Sequence, residues 1–168
     1  MSNFDASALI QSVTDQPMAE VRILVPEGEY AAISEEVKAI NFRTLTGDRN
    51  KPGEEGCDSK GRRLVLDLYW NIDDARVAEA THRTKNSVKQ GIFVDVTPDS
   101  DLEAGRVTLA GGLEWNLQIG RLRKIFGQNE RGRPWSFSML GGKAARVTVE
   151  HRKDGENEFD GVKKVVAL

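Results

Sequence analysis

The sequence predicts a mainly β domain, a five-stranded Greek-key barrel with one helix between its third and fourth strands. Three observations carry this. Stretches with apolar residues at every second position recur along the chain. One stretch, 113–126, instead carries them at helical spacing. Turn residues, including many of the 16 glycines, separate the segments. A chain of 168 residues suits a single domain with one substantial core.

Residues 1–20 carry scattered apolar side chains (Phe4, Leu9, Ile10, Val13) before Pro17 and read as an arm, either a short helix from Asp5 or Ser7 or a mobile segment. The domain is expected over 21–168. Residues 21–25 are β-like and lead into the turn Pro26-Glu27-Gly28. Residues 29–44 read as one long strand whose imperfect alternation calls for a bend or bulge in its middle. A long loop over 45–62, rich in Gly, Asp, Asn, Lys and Pro, is expected to be mobile, with Cys57 an exposed free thiol.

Residues 63–73 form the clearest strand. Leu64, Leu66, Leu68, Trp70 and Ile72 fall on one face, and Arg63, Val65, Asp67, Tyr69 and Asn71 on the other. The polar stretch 74–87 follows, with the strand continuing briefly through Ala78. Residues 87–97 make a third strand, with Val88, Gln90, Ile92, Val94 and Val96 of one parity and Lys89, Gly91, Phe93 and Asp95 of the other. A loop, 98–112, leads to the helix 113–126, whose stripe Trp115, Ile119, Leu122 and Phe126 suits core packing. Gly127 is placed to end it. A basic turn with Arg131 and Arg133 precedes a short strand over 135–140. The last two strands are expected at 145–151, with Ala145, Val147 and Val149 inward, and at 159–168. Between them, 153–157 holds the Asp-Gly turn signal.

Three strands, a helix and two strands, with a first strand long enough to serve both halves of the sheet, is the order of the OB-fold. A β-sandwich with an incidental helix is the structural alternative.

The net charge of −2 is unevenly spread: residues 113–153 carry nine basic and three acidic side chains. A uniformly basic, histone-like protein is excluded, but a polyanion site is not; a solvated basic face is the plainer reading. Catalytic signatures are missing. His82, His151 and Cys57 lack metal-ligand spacing, no Gly-Lys-Ser/Thr follows the glycines near 127–132, and no Gly-x-Ser-x-Gly occurs. Asp73 and Asp74 read as a solvated pair and His151 as a structural histidine. Neither an enzyme nor a cofactor is therefore expected. No apolar run approaches a membrane span, and the start lacks the pattern of a signal peptide. One cysteine fits a reducing compartment, so a cytoplasmic location is expected, that of the host if the source is viral.

Gly28-Glu29-Tyr30 opens the first strand, and Leu122-Arg123-Lys124-Ile125-Phe126-Gly127 ends the helix. The fourth strand is opened by Leu140-Gly141-Gly142-Lys143-Ala144-Ala145-Arg146-Val147-Thr148-Val149, and Val162-Lys163-Lys164-Val165-Val166 closes the chain. Together these resemble the small single-stranded DNA-binding OB-fold proteins of bacteriophages, over roughly residues 27–168. The departures are the slightly negative charge and the lack of a Gly/Pro/Gln-rich tail with an acidic, apolar tip. The resemblance implies a protein that coats and protects single strands during replication or recombination, with proteins of those processes as further partners and a homo-oligomer as an open alternative.

OB-folds bind on the outer face of the second and third strands, walled by the loops between strands one and two and between strands four and five. Parity places Tyr69 and Phe93 on that face as stacking rings beside Arg63 and Lys89, with packing under the long loop or a dimer partner as the alternative. Arg43, Lys60 and Arg62 flank the first loop; Arg146, Arg152 and Lys153 stand at the other wall. Trp135, in a turn after Arg133-Pro134, is a further candidate, whereas Trp70 belongs to the core. A protein-interaction or oligomerisation module on the same barrel is the second functional reading, and a small nuclease-like enzyme is a distant third.

Overall fold

A computed structural model describes residues 5–45, 52, 54 and 56–168. Its elements are a short helix α1 (Ser7–Ile10), strands β1 (Gly28–Ser34), β2 (Phe42–Leu45) and β3 (Arg63–Asn71), helix α2 (Ala75–Thr81), strand β4 (Ser87–Val94), helix α3 (Leu117–Ile125), and strands β5 (Ala144–Asp154) and β6 (Asn157–Val166). The protein is mainly β, and its described residues form one six-stranded antiparallel sheet. No helix among the described residues is long and apolar enough to cross a membrane.

The sixth strand arises because the expected long first strand is broken. β1 ends at Ser34, a 3₁₀ turn covers Ala39–Asn41, and β2 follows. β4 occupies one edge of β3 along its length, so the end of β1 (Ser34 opposite Trp70) and β2 (Phe42 opposite Leu66) share the other edge. Asn41 bridges the gap by donating from Nδ2 to the Asp67 carbonyl at 3.1 Å. The start of β1 turns away to pair with β5, Gly28 opposite Val149, and β5 pairs with β6. No ladder joins β6 to β4, although the two lie side by side; a Cβ at Gly161 would stand 3.8 Å from the Lys89 carbonyl. The sheet curls round a core without being sealed by hydrogen bonds.

That core follows from the alternation in β3 and β4. Leu66, Leu68, Trp70 and Ile72 are buried with Val88, Ile92 and Val94, and β1, β5, β6 and α3 contribute Ala32, Val147, Val162 and Leu122. Gln90, on the inward face of β4, accepts the Trp70 indole N–H at 3.0 Å, so neither polar atom is stranded in the core. Val65 departs from the pattern, being buried on the outer face.

Other sequence expectations are corrected. Residues 21–25 form no strand, although Val25 is fully buried. The polar stretch after β3 is helix α2, because Asp74 caps it by accepting the Arg76 N–H at 2.9 Å while Val77 and Thr81, four apart, pack inward. α3 begins at Leu117 rather than 113, since Asn116 is held in a left-handed conformation by bonds to Asp95 and Ala110. Residues 137–140 are a 3₁₀ turn, not a strand. The Asp-Gly turn signal is where it was expected: Asp154 pairs with Asn157 around Gly155 and Glu156, and Gly155 has φ +62°.

Gly141 closes the approach to β5. A Cβ there would lie 3.0 Å from the Glu36 Cα and 3.3 Å from the Glu35 carbonyl oxygen, both backbone atoms with little freedom to move. Gly141→Ala is expected to destabilise the fold by about 1–3 kcal/mol, the usual cost of overpacking. Denaturant unfolding of the variant checks this; an unchanged midpoint would show that the two segments separate easily.

Candidate nucleic-acid interface

The curl of the sheet leaves a groove of about 680 Å³ along the β4–β6 seam, on the outer face. β4 contributes Lys89, Gly91 and Phe93; β2 and β3 contribute Arg43, Leu45 and Val65; the β5–β6 hairpin contributes Arg152, Lys153, Phe159 and Lys163. Burial of Val65 is thereby explained: Arg43 and Phe93 stand opposite it on the two neighbouring strands, and it forms the apolar floor.

Two aromatic rings are exposed in this groove, Phe93 at 45% and Phe159 at 53%. Strand alternation turns Phe93 outward between the buried Ile92 and Val94. Its backbone N–H is bound by the Gln118 side chain of α3 at 2.7 Å, and the Arg63 guanidinium lies 5.3 Å from its ring centre. Phe159 sits opposite Arg152 in the hairpin.

Among the described residues, five basic side chains and two acidic ones line the groove. The acids are Asp154 and Asp160, the latter paired with Arg22 at 3.2 Å. Lys89 and Lys153 form no ion pair among the described residues. Arg43 pairs with Asp67 at 2.8 Å, and Arg152 with Glu150 at 2.6 Å. Lys163 stands 4.0 Å from Glu150, so among the described lining residues the cations without an ion pair are Lys89 and Lys153, on opposite walls.

Of the residues expected from sequence, the groove unites Arg43, Lys89, Phe93, Arg152 and Lys153. Arg63 stands beside Phe93, outside the groove and 3.8 Å from Asp95. Tyr69 shares the outer face but is half-buried opposite Lys89 and does not line the groove. Arg146 is exposed on β5, opposite Ala31 and Val166, away from it. Trp135 is half-buried elsewhere, with its N–H on Gln128 at 2.9 Å, its ring edge-on to Phe137 and the Arg123 guanidinium 4.6 Å above. Phe159 and Lys163 were not anticipated; counting back two positions from the Asp154–Asn157 turn pair would have set Phe159 opposite Arg152.

Lys60 and Arg62 are drawn into a separate cluster. Asp58, fully buried, accepts N–H bonds from Lys60, Arg62 and Leu102 and is paired with the Arg62 guanidinium at 2.8 Å. Arg62 also reaches Asp101, and Lys60 reaches Glu103. This ties the end of the long loop to residues 101–103, and buries Cys57, whose thiol is pushed up by burial rather than exposed. The mobility expected of this loop concerns chiefly 46–51, 53 and 55, which lie outside the described residues.

Burial raises the Asp58 carboxyl, but the Leu102 N–H, the Arg62 guanidinium and the remaining N–H bonds outweigh it and hold the group at about 2, against an ordinary 3.8. Because the folded value lies below the unfolded one, the site's stabilisation is complete above pH 3.8 and fades as pH falls through about 2. Asp58→Asn is therefore expected to be less stable than the native chain at neutral pH and to show a flatter acid profile. Parallel acid titrations followed by circular dichroism test this, and parallel curves would remove Asp58 from the acid response.

Comparison of the chain with protein-family models, curated proteins and solved structures gives no match. The reading of the groove rests on its own geometry.

Proposed function

We propose that this protein binds single-stranded DNA without catalysis, coating and protecting it during replication or recombination. The observation that carries the reading is the pair of exposed phenylalanine rings, from β4 and β6, in one groove with an excess of lysine and arginine. Unpaired bases stack on such rings whatever their sequence, and the cations take the phosphates. The strand pairings support an OB-type barrel: β1 and β2 together act as a bent first strand serving both β3 and β5, and α3 lies between β4 and β5. On this reading the groove lies over the β3–β4 face, where such barrels bind, and kinship with the bacteriophage single-strand binders is part of the proposal.

None of the three tryptophans lines the groove, so a dye-labelled oligonucleotide is the appropriate probe. Oligo-dT is expected to bind more tightly than a duplex of equal length, with affinity falling steeply as salt rises. Each lysine that neutralises a phosphate adds about 0.7 to the slope of log K against log salt on single strands. Lys89→Gln with Lys153→Gln is therefore expected to lower that slope by about 1.4. Equal affinity for duplex and single strand would remove the stacking argument; a weak salt dependence would favour an apolar protein partner for the same face.

A further inference from the structure

A second groove, of about 400 Å³, lies beside α3 and is not used by the proposed DNA site. Leu109, Leu113 and Leu117 line it and are exposed, Leu113 almost completely, and Trp115 is half-buried among them. Its charged lining is wholly basic: Arg121, Arg123 and Lys124, with no carboxylate among the described lining residues. Apolar side chains left in water beside uncompensated cations mark a surface built for a partner that is both apolar and acidic.

The segment before β1 has this character. Leu9, Ile10, Val13, Met18 and Val21 are all exposed, and every described residue from 5 to 22 is exposed with them. Asp5, Asp15 and Glu20 give it negative charge, while Arg22 is engaged with Asp160 at 3.2 Å. That ion pair, with the Val25 N–H on Asp160 at 2.8 Å, moors the segment to β6 and leaves the rest of it off its own domain. We propose that residues 5–21 of one copy seat in the groove beside α3 of a second copy, each copy donating one arm and receiving one. Reciprocal exchange covers both unpartnered surfaces at once and closes as a twofold dimer rather than a filament.

The test uses the full chain and measures mass against protein concentration by sedimentation equilibrium, without DNA. A concentration-dependent dimer is expected. Arg121→Glu with Lys124→Glu should weaken it about tenfold or more, and Asp15→Lys with Glu20→Lys should do the same. All four residues are exposed, and melting curves confirm that the variants fold. Mixing the two variants in equal amounts should restore dimers, because the reversed arm of one then meets the reversed groove of the other. A monomer at all concentrations, a dimer indifferent to both reversals, or weakened dimers that mixing fails to restore would each overturn the proposal. The outcome is independent of whether the first groove binds DNA.

Discussion

Phe93→Ala and Phe159→Ala are each expected to weaken binding of an unstructured single-stranded oligonucleotide by about 1–3 kcal/mol while leaving the fold intact. Both rings stand about half in solvent, so little packing is lost when either is removed. Tyr69→Ala should cost less, because that ring is half-buried and outside the groove. Anisotropy titrations on the three variants give the ranking. A Tyr69 loss larger than both phenylalanine losses would move the binding path toward the other end of β3. Full affinity in the Phe159 variant would confine stacking to β4.

Trp70→Ala should act on stability instead, by about 3–5 kcal/mol. The side chain is completely buried, packs against Phe126 with ring centres 6.1 Å apart, and satisfies Gln90 through its indole N–H. Removing it leaves a cavity and an inward-facing amide that has lost its partner. Denaturant unfolding should show a large fall in the midpoint, with binding by the folded fraction little changed. If the variant were as stable as the native chain and lost only DNA binding, the two faces of β3 would have exchanged roles.

These two expectations rest on the part of the molecule most legible in the sequence. From Leu66 onward the side chains of β3 alternate, and those of β4 do so around Phe93, so Leu66, Leu68 and Trp70 could be placed inside, and Phe93 outside, from spacing alone. β6 offers no such regularity: Phe159 stands alone among Asn157, Glu158 and Asp160, with no alternating apolar residue beside it, and was passed over. α2 was missed because half of its buried face is Thr81, whose hydroxyl bonds the Val77 carbonyl at 2.9 Å and the Asn86 side chain at 2.8 Å. A polar residue satisfied in this way reads as solvent-facing until its partners are known. Lys60 and Arg62 show the same limit for charge: their basicity was plain, but Asp101 and Glu103 lie about forty residues further along, and only the fold brings them into contact.

Ser34 links the end of β1 to the approach to β5. Its backbone N–H is bound to the Lys143 carbonyl at 2.9 Å, and its hydroxyl receives the Lys143 N–H at 2.9 Å across 109 residues of chain. A ribosome adding about 5–20 residues per second needs roughly 5 to 20 seconds to cover that distance. During that interval β1 has emerged while the strand that covers Tyr30 and Ala32 does not yet exist. The first strand of the domain is thus among the last to be completed, and the newborn chain carries an unpaired apolar edge until β5 leaves the exit tunnel.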